Sequence, residues 1–181
     1  MQQLREKYIQ ALAVWNRVHR IVGAKDRSIE QLVRESEESL RGLRSPLPRT
    51  LLDVGAGSGI LGIPWLWIGP AQSRTGLIEP DLKKSSFLIH FRSTLEDGLK
   101  ERILVIPNKL QDVPRETVDR FAEAGDRLFV ARAFSGQVDL TEAINASSFS
   151  SECFLSFCER KQGNSNSFVL EPVTISKGSH A

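Results

Sequence analysis

The segment Arg49–Trp65, "RTLLDVGAGSGILGIPW", decides the fold. Thr50–Val54 is a short apolar run interrupted only by Asp53; Gly55, Gly57 and Gly59 follow at every second position, and apolar residues resume at Ile60. A continuous apolar run of strand length suits a strand buried on both faces of a parallel sheet. Glycine placed directly after it lets the chain turn sharply and lets main chain approach a ligand with no Cβ in the way. A helix starting near Ser58 and running to Ile68 would aim its free amides at the same place.

Working outward, "RTGLIE", "RILVIP" and "RLFVA" repeat the strand signature downstream, with helical stretches at Ile60–Ile68, Asp81–Leu95 and Val113–Ala124 between them. Strands alternating with helices imply a parallel sheet with crossover helices. A further helix over Asp139–Ala146 leads to "CFLSF", a polar "RKQGNSNS" loop and "FVLEPVTIS", which suggests an antiparallel pair at one sheet edge. Upstream, Leu4, Tyr8, Leu12, Trp15, His19 and Val22 recur at helical spacing. Ser28 and Gln31 have the capping-box spacing for a second helix, which "RSPLPR" ends. The expected fold is α/β: a Rossmann-like, doubly wound, mostly parallel sheet with an N-terminal helical extension (residues 1–48), an α/β core (residues 49–181) and an antiparallel edge strand, all in one domain.

The 181 residues fit a single core, and 40% hydrophobic with 25% charged residues is ordinary for a globular chain. The amino terminus lacks the apolar core of a secretory signal, and no apolar run is long enough to span a bilayer, so a cytoplasmic protein with no membrane partner is expected. Cys153 and Cys158 have the wrong number and spacing for zinc, and His19, His90 and His180 stand far apart, so no metal site is expected. Net charge is only +2, but residues 1–50 hold ten Lys or Arg against six acids, a surplus that suits either phosphate or a solvated helical surface.

The glycine loop does not match a dinucleotide fingerprint, whose third glycine would fall at Ile60, and no Gly-Lys-Ser/Thr follows for a phosphate-cradling loop. The pattern is instead Asp53-x-Gly55-Ala56-Gly57-x-Gly59, with a second acid, Glu79, ending the next strand. A carboxylate there can accept both hydroxyls of a ribose. Asp53 can either neutralise an ammonium or orient the glycine loop. An acid, a flexible loop and a ribose-binding acid suit a nucleoside carrying an amino acid and no pyrophosphate, which is S-adenosyl-L-methionine.

The stretches "WNRVHRI", "LVRESEESL", "LLDVGAGSGILGIP", "LIEPDLKKSSFL" and "VARAF" together resemble the bacterial small-subunit rRNA guanine-N7 methyltransferases, the glucose-inhibited division protein B family. The resemblance is collinear from Trp15 to Phe134. It implies the class I methyltransferase fold and small-subunit rRNA or its 30S particle as partner; separately, a monomer is expected. It places cofactor contacts on Gly55, Gly57, Ile60 and Glu79, on Leu110 and Gln111 after the third strand, and on Arg132 after the fourth. The chain departs from the family pattern at Leu61, where proline is usual, and at Glu35, where histidine is. Ala131 replaces a serine, and Cys158 stands where a lysine would be.

Methyl transfer from a sulfonium is an in-line displacement in which the protein mainly aligns the nucleophile. A guanine N7 offers its own lone pair and needs no base. Arg132, the expected catalytic residue, could present a fork to guanine or phosphate. Phe134 could stack on a base or pack internally, and Lys83 and Lys84 could face phosphate or solvent. Two further readings stay open: a methyltransferase of another RNA or of a small molecule, and a non-catalytic RNA- or ribosome-binding module.

Overall fold

The computed structural model describes residues 1–23, 27–132, 137–162 and 165–173. Two helices come first, α1 (Gln2–His19) and α2 (Ile29–Arg41). The alternating part follows as β1 (Thr50–Val54), α3 (Trp65–Ile68), β2 (Arg74–Ile78), α4 (Leu82–Ser93), α5 (Asp97–Lys100), β3 (Ile103–Ile106), α6 (Arg115–Asp119), β4 (Arg127–Arg132) and α7 (Gln137–Asn145). The chain closes with β5 (Phe154–Gln162) and β6 (Ser165–Pro172).

The strands form one sheet in the order β3-β2-β1-β4-β5-β6. All neighbours from β3 to β5 are parallel, and β6 runs antiparallel to β5, the expected doubly wound arrangement with its antiparallel edge. The chain winds outward from β1 through β2 to β3, then crosses back to β4. The order therefore reverses between β1 and β4, and ligands of such sheets bind outside the carboxyl ends at that reversal.

Strand side chains alternate between the two faces, so β1 serves two cores. Leu52 and Val54 join Ile78, Phe129, Leu140 and Phe149 on one side. Leu51 of β1 packs instead with Leu40, Leu61, Trp65 and Val130, while Leu77 of the neighbouring β2 packs with Tyr8, Leu12, Val33, Phe87 and Phe91, a cluster that draws α1, α2 and α4 together. The first helices are thus part of the molecule's main apolar core. Glu37, itself buried, ties them further: its Oε1 accepts from Arg5 Nε at 2.7 Å and from Trp67 Nε1 at 2.9 Å. The capping box at Ser28 forms as expected, with Gln31 N–H donating to Ser28 Oγ at 3.1 Å and Ser28 N–H to Gln31 Oε1 at 2.7 Å.

Three expected elements take a different form. The helix expected over Ile60–Ile68 is a series of turns until Trp65, because Gly59 has φ +82° and Gly62 and Pro64 weaken any regular helix. Tight bonds take its place, such as Trp65 N–H to Gly62 C=O at 3.2 Å and Leu66 N–H to Ile63 C=O at 3.1 Å. The stretch Val113–Ala124 keeps helix only over Arg115–Asp119, beginning after Pro114. The polar "RKQGNSNS" loop is largely strand: β5 continues to Gln162 and β6 begins at Ser165, paired from Leu155↔Pro172 to Gln162↔Ser165. The main-chain ladder of a hairpin forms whatever the side-chain composition, and apolar patterning does not report it.

Candidate functional site

Every residue of β1 is buried, and at its end the chain bends through φ +68° at Gly55 and +59° at Gly57. Only glycine adopts such angles at no steric cost. At Gly57 a Cβ would meet nothing nearer than Gly55 O at 4.0 Å, so the outer side of this turn is open space. At Gly59 (φ +82°) a Cβ would lie 2.7 Å from Ile63 Cγ1 and 2.9 Å from Leu88 Cδ2. Gly57 faces room for a ligand; Gly59 is wedged into the core.

Two buried carboxylates hold this loop by its amides. Glu79 Oε2 accepts from Gly57 N–H at 2.6 Å and its Oε1 from Asp81 N–H at 2.8 Å. Asp53 Oδ2 accepts from Gly62 N–H at 2.8 Å. Of the two roles open to Asp53, the structure gives it loop orientation: it is 1% exposed and lies beneath the turn. A third hold comes from α1, where the buried Tyr8 hydroxyl donates to Ser58 C=O at 2.9 Å.

Above the loop lies a cleft of about 320 Å³, within the range of small-molecule sites. Gly55, Ala56, Gly57 and Ile60 form its floor, Lys84 stands on the α4 side, and Ile21, Val22 and Arg27, between α1 and α2, wall it together with Leu32 of α2. Arg27 is held there by Glu35, with Nη1 2.9 Å from Oε2. Lys84 belongs to the first turn of α4, where a cation opposes the helix dipole. Asp81 offsets this by capping both Lys83 and Lys84 N–H groups at 2.9 and 3.0 Å. The Lys84 N–H bond holds the Asp81 carboxyl below the usual carboxylate range against a small burial penalty, and Lys83 adds to it.

The structure therefore brings together Gly55, Ala56, Gly57, Ile60 and Lys84; Glu79 is buried and not among the cleft's described lining residues, and meets it through the Gly57 N–H. The other expected residues lie elsewhere. Gly59 packs inward, and Lys83 is exposed outside the cleft. Leu110 is buried in the opposite core and Gln111 is exposed at a short 3-10 turn. Neither is among the cleft's described lining residues. Arg132 ends β4 opposite Phe157 of β5, at the carboxyl edge of the sheet; its side chain and all of Phe134 lie outside the described residues. No sequence pattern marks Ile21, Val22, Arg27 and Leu32 as a wall of the cleft. Its only local signal was the capping box that starts α2; its place over the loop depends on how α1 docks, a tertiary contact with no sequence pattern.

A parallel sheet reversing beside its first strand, with a glycine turn there and an acid ending the second strand, is the architecture of the class I S-adenosylmethionine-dependent methyltransferases. The solved glycopeptide N-methyltransferase MtfA shares it, with TM-score 0.52 and 15% identity over 72% of this chain and 55% of that one. The family model described as rRNA small subunit methyltransferase G (GidB) matches residues 1–155, and the chain belongs to that family. A ribosomal RNA small subunit methyltransferase G of Cellvibrio japonicus is 33% identical over 144 residues, covering 75% of this chain and 58% of that protein. Its counterpart in Helicobacter pylori (strain ATCC 700392 / 26695) is 29% identical over 113 residues, covering 62% of this chain and 60% of that protein. The chain thus spans about three fifths of the length of these curated relatives.

Proposed function

We propose that this chain is an S-adenosylmethionine-dependent methyltransferase that modifies a guanine N7 of small-subunit rRNA, presented free or in the 30S particle. The observation that carries the reading is the Glu79–Gly57 bond at the floor of the cleft. It fixes a bare turn of main chain at the switch point and puts a carboxylate directly behind it.

The residues present fit the cofactor. Gly57 leaves space where a side chain would project, and each oxygen of Glu79 accepts one backbone N–H while keeping a second acceptor site. Those remaining sites suit two ribose hydroxyls. Ala56, Ile60, Ile21, Val22 and Leu32 supply apolar surface that excludes water from the bound nucleoside. When bound, the cofactor supplies a methyl group already activated on sulfur.

The chain's own task is then alignment and desolvation. N7 of guanine carries an in-plane lone pair and loses no proton on methylation, so no general base is required. Among the described lining residues the ionisable ones are Arg27 and Lys84, both cations suited to an RNA substrate. Arg132, at the carboxyl end of β4, is the residue proposed to orient the guanine. Residues 1–48 act as helical cover and 49–181 as cofactor-binding core of one methyltransferase domain.

The test is incubation with methyl-labelled cofactor and small-subunit particles lacking the modification, followed by mapping of the label. Label on a single guanine that is released on depurination, as an N7-methylated purine is, supports the reading. Label on other RNA moves the substrate, and no label in any RNA contradicts it.

A further inference from the structure

We propose that the outer faces of α1 and α4 form one docking surface for the phosphodiester backbone of the substrate RNA, running up to Lys84 and Arg27 at the cleft. This rests on the function proposed above and assigns its partner a place on the molecule.

The charge pattern comes first. The chain holds 24 basic and 22 acidic residues, yet no acid occurs from Lys7 to Arg20 or from Leu82 to Ser93. Those two stretches carry Lys7, Arg17, Arg20, Lys83, Lys84 and Arg92. By contrast the solvent side of α2 mixes Glu30, Glu35 and Glu38 with Arg34 and Arg41.

The fold then joins the two stretches. Lys7 Nζ donates to Thr94 C=O at 2.5 Å, while the Trp15 ring lies 5.6 Å from Phe87 and 5.5 Å from His90. The helices consequently run in opposite directions, so the end of α1 meets the start of α4. Arg17 and Arg20 come to the same end as Lys83 and Lys84, beside Ile21 and Val22 of the cleft wall. Among the described residues none of these four cations forms an ion pair. The nearest acid in sequence, Asp81, has its Oδ1 engaged by the Lys83 and Lys84 N–H groups.

The same face also exposes apolar surface: Val18 is 73% and Leu82 75% exposed, and Ile89 is half exposed. His19 and His90 are exposed on either side of the Trp15 ring, their rings 4.9 and 5.5 Å from it. Unpaired cations among flat rings and apolar side chains suit RNA, whose phosphates take the charge and whose splayed bases stack.

The test measures binding of a small-subunit rRNA transcript by the full chain over a series of salt concentrations. Wild type is compared with the triple variant Arg17→Ala/Arg20→Ala/Lys83→Ala and with a control triple of exposed cations elsewhere, Arg41→Ala/Arg44→Ala/Arg120→Ala. Each lost phosphate contact lowers the slope of log K against log salt by about 0.7 to 0.9. The first triple is expected to lower it by about 2 and to weaken binding roughly tenfold at fixed salt, with cofactor affinity unchanged as the check on folding. An unchanged slope, or an equal loss in the control, overturns the proposal. So does intact RNA binding with loss of binding to phosphatidylserine vesicles, which would make the face a membrane contact. If wild type binds RNA with the expected slope but transfers no methyl group, the proposed function fails and this surface stands.

Discussion

The two ends of the sheet treat buried charge in opposite ways. At the amino end the fully buried Arg127 side chain bridges Asp119 and Glu152, both at 2.5 Å, and Arg115 adds a second bond to Glu152 at 2.8 Å. Charges there answer one another, and Ala122 C=O takes a further bond from Arg127 at 3.1 Å. At the carboxyl end Asp53 and Glu79 accept instead from the amides of Gly62, Gly57 and Asp81. An ion-pair network closes its end of the sheet. Carboxylates that grip main chain instead leave a shaped turn with acceptor capacity to spare, which is what a ligand site requires.

This contrast predicts a double dissociation between folding and binding. Arg127→Ala removes the buried partner of Glu152 and of the half-exposed Asp119, both of which keep Arg115, so the cost should fall below the roughly 3–5 kcal/mol of a fully broken buried pair. Chemical denaturation should show that loss, while the folded fraction still binds cofactor with wild-type affinity. Gly57→Asp should do the reverse. It places an anion in the open side of the turn beside Glu79 and weakens cofactor binding by at least about 100-fold, near 2.7 kcal/mol. Its denaturation midpoint should move far less than that of Arg127→Ala. A Gly57→Asp protein that is merely unstable would break the comparison.

Smaller effects sharpen it. On the proposed function, Arg132→Ala removes a fork contact to the guanine, an interaction of about 1–3 kcal/mol. Methylation of the particle should fall roughly tenfold or more, with melting temperature unchanged. The smallest effect is at low pH. The Arg127 guanidinium bonded to Asp119 holds that carboxyl below the usual range; slight burial works against this and Arg115 adds to it. A depressed folded-state pKa stabilises the protein above the unfolded value of about 3.9, and the gain is lost as pH falls through the folded value. Melting temperatures measured below about pH 4 should decline in wild type and flatten in Arg127→Ala. An equal decline in both would assign acid sensitivity elsewhere, for instance to Asp81.

How much of this was legible depended on whether a feature is local. β1 to β4 could be read because each carries a run of apolar residues, as strands covered on both faces do, and the Ser28 cap because its partners lie three residues apart. The glycine turn and Glu79 were legible as a pair. The turns before Trp65 were not, since Leu61 and Ile63 look helical and only the bonds of Gly62 and Pro64 reveal otherwise. The β5–β6 hairpin hid behind polar residues. Arg27 and Ile21 could not be placed at all, because they reach the cleft only after Tyr8 and Leu12 have docked α1 against α4. The carboxylates deceived in one respect: Asp53 reads like a ligand-binding acid but is sealed beneath the turn.

The most direct measurement is a calorimetric titration of S-adenosylmethionine into wild type and into Gly57→Asp. The predicted result is one saturable site in wild type and none in the variant, with both proteins melting cooperatively. Equal affinity in the two would show that the Glu79–Gly57 turn is not where the cofactor binds.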